Sequence, residues 1–131
     1  MRKISVKKIN FILAGLLLIP IFAFTSAIFE ISIDIAPNVL NLSNSGSVVT
    51  VHTNLAYSAV QGSSLFLDGV EIDSWKADNR GMFVAKFSMN EIKSLPLTVN
   101  AYHTFELTGF TTSGDQFFGT KDILIVSNKG K

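Results

Sequence analysis

An all-β fold is predicted, a two-sheet antiparallel β-sandwich of about seven to eight short strands with one connecting helix, behind an N-terminal hydrophobic signal helix. Three observations predict it. Apolar and polar residues alternate with a period of two along almost all of the chain after residue 27, the pattern of strands half-buried on one face. Turn-forming clusters punctuate that alternation: S-N-S-G-S at 43–47, D-G at 68–69, D-N-R-G at 78–81 and S-G-D at 113–115. Helix signals gather in one place only, Ser88 to Leu95, whereas an α/β fold needs helices between its strands.

The first 27 residues are set apart from the fold. "MRKISVKK" carries Arg2, Lys3, Lys7 and Lys8 without an acid, and an apolar run interrupted only by Asn10 follows from Ile9 to Phe24. Thr25 and Ala27 then supply small residues at the −3 and −1 positions of a signal-peptidase site, with Ile28 the first mature residue. Pro20 near the end of the run suits an extended cleavage segment better than a continuous helix. The competing reading is an uncleaved anchor, for a run slightly short of the roughly 20 residues that span a bilayer. The chain has no cysteine, so there is no residue for a lipoprotein anchor and no disulfide; an exported body must rest on its apolar core. The expected division is therefore 1–27 signal peptide or anchor, 28–126 sandwich, 127–131 tail.

Removing the leader changes the charge balance. The whole chain has 11 basic and 10 acidic residues, and all four leader charges are basic, so the body is mildly acidic. Without Lys/Arg clusters it is a poor partner for nucleic acid or anionic lipid, which need a positive field. Membrane contact is expected only through an uncleaved leader.

Each strand is legible from its alternation. "FEISIDI" sets Phe29, Ile31, Ile33 and Ile35 against Glu30, Ser32 and Asp34. Pro37 interrupts this run, as expected of an edge strand, since proline cannot donate to a ladder. Leu40 and Leu42 resume the pattern, and "VVTVHT" turns Val49 and Val51 inward with Thr50 and His52 outward. Asp68-Gly69, between Leu65, Leu67 and Val70, Ile72, predicts a two-residue hairpin of type I′, whose central residues both need positive φ. "MFVAKF" contributes Phe83, Ala85 and Phe87. "SMNEIKSL" predicts the helix: Ser88 and Glu91 form a capping box, Met89, Ile92 and Leu95 give an apolar side, and Pro96 ends it. It should bridge the two sheets. The closing hairpin turns in Phe105 and Leu107, then Phe117, Gly119, Ile123 and Ile125.

Taken in order, "IDIAPNVLNLSNSGSVVTVHTNL", "SLFLDGV", "RGMFVAKFSMNEIKSL" and "FELTGFTTSGDQFFGTKDILIV" resemble a family of small immunoglobulin-like (Ig-like) β-sandwich modules of archaeal and bacterial secreted and cell-surface proteins. That family runs as I-D-I-x-P-x-x-L-N-L, a G-x-x-V-T-V strand, V-A-K-F before a short helix, E-L-T-V-T-G and a final G-x-x-F-x-G strand. The chain departs in having Ser88 where aspartate is common, a neutral change because serine also caps helices. The resemblance implies an Ig-like fold and a module appended within larger extracellular proteins. It implies no catalytic residues.

A search for chemistry agrees with that implication. His52 lies on the outward phase beside Thr50, and His103 lies near a strand start. No G-x-S-x-G elbow accompanies them. Asp68, Glu71, Asp73 and Asp78 do not have calcium-loop spacing, and Lys76 and Arg80 fall among them. No enzyme, cofactor or metal is expected. Two surface features remain. Asn41-Leu42-Ser43 is the one N-x-S/T sequon, its asparagine expected to point outward as a glycosylation site. Trp75, Phe66, Phe110 and Phe118 fall on the phase opposite their strands' core residues or in loops; Trp75, Phe110 and Phe118 are candidates for a contact surface, with Trp75 the strongest, while Phe66, and after it Phe118, is expected to be covered under loops or at the ends of the sandwich.

The expected function is an exported, non-enzymatic module working by protein contact in the cell envelope, structural or adhesive, with an envelope or surface protein, or itself, as partner. The alternatives are a carbohydrate-binding module that stacks a glycan on Trp75, and a filament subunit assembling by addition of the apolar N-terminal strand. The expected location is extracytoplasmic, secreted or at the cell surface.

Overall fold

Inward-facing residues of two sheets meet in one apolar core in the computed structural model, which describes residues 27–129. The leader lies outside the described residues apart from Ala27, as does the end of the tail. The described residues form ten short strands: β1 Ile28–Glu30, β2 Ile33–Ala36, β3 Val39–Asn41, β4 Val48–Ala56, β5 Phe66–Leu67, β6 Val70–Glu71, β7 Ser74–Ala77, β8 Met82–Ser88, β9 Ala101–Phe110 and β10 Gln116–Val126. One sheet, here sheet A, has the order β1-β10-β9-β5-β6 with β3 also on β10; sheet B has the order β2-β4-β8-β7. The expected all-β, two-sheet fold is present. The strand count is higher than expected because the N-terminal alternation is divided among β1, β2 and β3, and because β7, whose four residues are all exposed, carries no alternation of burial to read.

That division is the main topological departure from the sequence reading. The run "FEISIDI" keeps its alternation, yet β1 pairs with β10 in sheet A and β2 pairs with β4 in sheet B. Period two reports burial, and Ile31, Ile33 and Ile35 are buried whichever sheet holds them. At Pro37 the chain returns to sheet A as β3. Both β1 and β3 run parallel to β10, at opposite ends of the same edge. Between them the chain crosses so close to β10 that a Cβ on Gly119 would lie 2.9 Å from the Ile33 side chain and 3.0 Å from the Ile31 carbonyl. Glycine is required there by space.

The other local expectations have clear counterparts. Asp68 and Gly69 take φ of 48° and 84° between paired Leu67 and Val70, the geometry a two-residue I′ hairpin demands. The helix, α1 (Met89–Lys93), follows β8 of sheet B and leads to β9 of sheet A; it buries Met89 and Ile92, and Ser88 Oγ accepts the Glu91 N–H at 3.4 Å. Among the described residues, Thr53 is the buried polar one. It is satisfied where β4 loses register between His52 and Ala56, donating to the Phe83 carbonyl at 2.7 Å and accepting from Leu55 N–H at 3.2 Å.

Candidate functional site

The outer face of sheet A gathers most of the exposed aromatic surface. On β9, Phe105, Leu107 and Gly109 point into the core, leaving Glu106, Thr108 and Phe110 outside. On β10 the same alternation leaves Gln116, Phe118 and Thr120 outside. Register then builds two adjacent rows. Glu71, Phe66, Thr108, Phe118 and Glu30 stand side by side across β6, β5, β9, β10 and β1. Phe110, Gln116 and Ile28 form the next row. Phe66 and Phe110 are each 40% exposed and Ile28 68%, with Phe118 half-buried among them. Cross-strand and diagonal neighbours on one face lie within reach of aromatic side chains. Phe110 and Phe118, two of the three residues expected to form a contact surface, thus stand together. Phe66, expected under loops, joins them on the open face.

Trp75 is placed elsewhere and differently. In β7 it pairs with Ala85, a core residue, so its register is inward, neither the outward phase nor the loop position expected of it. It is still 40% exposed, because β7 is an edge of sheet B and, among the described residues, no strand lies beyond it. Its ring stacks on Phe83 at 6.5 Å and lies against Gly62, where a Cβ would be 2.3 Å from a ring carbon. Tyr57 stacks on the same Phe83 at 5.9 Å. Trp75 and Tyr57 therefore cover Phe83 at a corner of the sandwich.

Asn41 is similarly occupied. Its Nδ2 donates to the Asn128 carbonyl at 2.9 Å and to Asn44 Oδ1 at 3.3 Å, while its Oδ1 accepts from Ser43 N–H at 3.1 Å and Asn128 N–H at 3.0 Å. The Ser43 and Ser127 hydroxyls are 3.0 Å apart. The Asn-Leu-Ser tripeptide is thus a clasp for Ser127-Asn128, and a glycan on Nδ2 would remove one of the two N–H donors it uses.

The two histidines sit in unlike surroundings. His52 is exposed on the outer face of sheet B, beside a groove of about 170 Å³ lined by Ser32, Asp34, Asn54 and Arg80. His103 Nε2 meets Asp68 Oδ2 at 2.6 Å, and Asp68 Oδ1 accepts the Glu106 N–H at 2.9 Å, so the pair fixes the β5–β6 hairpin to β9. Of the four acids weighed for calcium, Asp78 closes the β7–β8 turn. Its Oδ1 accepts from the Arg80 and Met82 N–H groups at 2.8 and 2.9 Å. These bonds hold its carboxyl below the usual range; the Met82 N–H is the largest cause, burial opposes it, and Arg80 adds to it. Among the described residues no three His, Asp or Glu side chains gather where they could hold a metal ion.

Comparison with protein-family models, curated proteins and solved structures finds no match. The site must be read from its own geometry. The outer face of sheet A can bury aromatic surface against a partner without moving a core residue. The Trp75 corner can do so only by giving up part of what covers Phe83.

Proposed function

We propose that the chain is an exported, non-enzymatic Ig-like module that acts by protein contact in the cell envelope, as a structural or adhesive subunit. Its contact surface is the outer face of sheet A. The observation that carries this reading is the row Phe66, Thr108, Phe118 with Phe110 and Ile28 beside it, aromatic surface left open on the outer face of a sheet. Contiguous apolar patches of this kind mark contact sites. The Ig-like assignment is supported by strand order: β2-β4-β8-β7 and β10-β9-β5 follow the A-B-E-D and G-F-C arrangement of such domains. Export is supported by the basic, apolar, small-residue pattern of residues 1–27. No cofactor enters this function, and neither nucleic acid nor an anionic bilayer suits a body of this charge.

The test is site-specific photo-crosslinking in intact producing cells. A photoreactive residue at Thr108, in the middle of the patch, should give discrete adducts with envelope or surface protein or with the chain itself. One at Asn90, exposed on α1 and on neither outer face, serves as the comparison for the patch. Absence of adducts at both positions, with free protein in the medium, would sink the reading.

A second reading, glycan stacking on Trp75, draws on the half-exposed indole and its neighbour Tyr57, both within 25° of the Phe83 plane. Calorimetric titration with envelope polysaccharide tests it, and a Trp75→Phe variant that binds unchanged removes it. Strand addition is less well supported. The stretch of β10 between its partners β1 and β3 is crossed by the chain at Gly119 and guarded by Lys121, which bridges to Asp34 at 3.0 Å, and charges beside an edge discourage pairing.

A further inference from the structure

The two outer faces of the sandwich carry opposite charge. On sheet A every charged residue in the outward register is acidic: Glu30, Glu71, Glu106 and Asp122. On sheet B the outward register holds Lys76 and Lys86, near neighbours across the β7–β8 ladder, with Asp34 already bridged to Lys121 at 3.0 Å. Among the described residues, neither Lys76 nor Lys86 makes a salt bridge.

Resting on the protein-contact reading above, we infer that the occupant of the aromatic face is a second copy of this chain, presenting the outer face of its sheet B. Lys76 and Lys86 of one copy stand over Phe66, Phe110 and Phe118 of the next, with their ammonium groups toward Glu71 and Glu106. Opposite charge sets the orientation and excludes the alternative pairings. Two sheet A faces together would oppose acid to acid, and two sheet B faces would oppose lysine to lysine. Lysine stems also cover aromatic rings while their charge meets the ring face or the flanking carboxylate. Because the joined faces differ and lie on opposite sides of the molecule, each added copy leaves both kinds of face free. Such contact is heterologous and grows without closing.

Sedimentation velocity of the exported protein tests this across a wide range of concentration and salt. The expected result is a weight-average mass that rises with concentration without a plateau and falls with added salt, since the contact is charged and accessible to ions. A Lys76→Glu/Lys86→Glu variant should stay monomeric, and so should a Glu71→Lys/Glu106→Lys variant. Mixing the two should restore assembly, because each then offers the charge the other lacks. Matching circular dichroism and thermal melts show that both variants fold. Three outcomes overturn the inference: a wild-type monomer throughout, a plateau at a closed dimer, or assembly unaffected by either double variant. A wild-type monomer that still cross-links from Thr108 to an envelope protein separates the two claims: self-assembly falls and the protein-contact reading stands.

Discussion

Trp75 and Phe110 each leave 40% of their surface in solvent, yet one lies in the core register of an edge strand and the other in the outward register of an inner strand. Trp75 is exposed because sheet B ends at β7. It packs on Phe83 and Gly62, so its buried part belongs to the core. Phe110 is half-covered by its neighbours on the sheet surface, and the core beneath it is completed by Gly109, Phe117 and Leu65 without it. Equal exposure therefore carries opposite meanings: removing Trp75 opens the sandwich, whereas removing Phe110 strips a surface.

The largest effect that tests this difference is at Phe83, which is fully buried beneath Trp75 and Tyr57. Phe83→Ala should cost about 3–5 kcal/mol in urea denaturation, the usual range for a buried phenylalanine. Should Phe110→Ala cost as much, the corner and the face would not be distinct in kind. Next comes Gly62→Ala. The added methyl would sit 2.3 Å from the indole, so the ring must lift or the turn must shift, at about 1–3 kcal/mol. Trp75 is the only tryptophan, so a red-shifted emission would report its exit directly. An unshifted spectrum with unchanged stability would show that the indole does not depend on Gly62 for its seat.

The same pair of residues shows how much of the molecule was legible beforehand. Alternation identified the inward residues of β4, β8, β9 and β10, because a strand paired on both sides turns every second residue to the core; Val84 on β8 is the exception, buried in the outward register. The Asp68-Gly69 hairpin and the Ser88 cap were legible because their backbone chemistry is local. The phase of Trp75 was not. All four residues of β7 are exposed, so no buried neighbour marks which side faces in, and it is the register with β8, Trp75 beside Ala85 and Ala77 beside Phe83, that reveals it. The crossing of the N-terminal run between sheets was hidden for a related reason, since alternation continues through it. The aromatic face required register between strands distant in sequence, Phe66 beside Thr108 and Phe118. The clasp at Asn41 depends on Asn128, which no pattern near the sequon discloses.

That clasp gives a control at a polar site away from both aromatic regions. Asn41→Ala removes the hydrogen bonds to Asn128 and Ser43; exposed bonds of this kind make a loss of about 1 kcal/mol reasonable. Amide exchange at Asn128 should quicken while Trp75 emission stays as it was. A smaller effect concerns acid pH at the corner. Because the folded carboxyl of Asp78 titrates below its ordinary value, its stabilising contribution is present at neutral pH. It is lost as pH falls from the ordinary carboxylate value through the lowered one. The Trp75-monitored acid transition should therefore be shallower in Asp78→Asn than in the parent protein. Equal slopes would place the acid sensitivity at other carboxylates.

The smallest expected change is the most informative about function. Phe110→Ser should alter the free energy of unfolding by no more than about 0.5 kcal/mol, the usual limit for a surface substitution away from special features. Its side chain fills no cavity, its backbone N–H and carbonyl bond with Ser64 and Gln61 independently of the ring, and Gly109 beneath it already meets Phe117 and Leu65. Serine also exposes less apolar surface in the folded state, which offsets the packing given up beside Phe118 and Ile28. The same substitution should nevertheless weaken every association made through the outer face of sheet A, because the ring is central to its open aromatic area. A Phe110→Ser protein with parental stability and lost cross-linking at Thr108 would separate folding from contact in a single residue. A large loss of stability would instead make Phe110 part of the core, and the contrast with Trp75 would disappear.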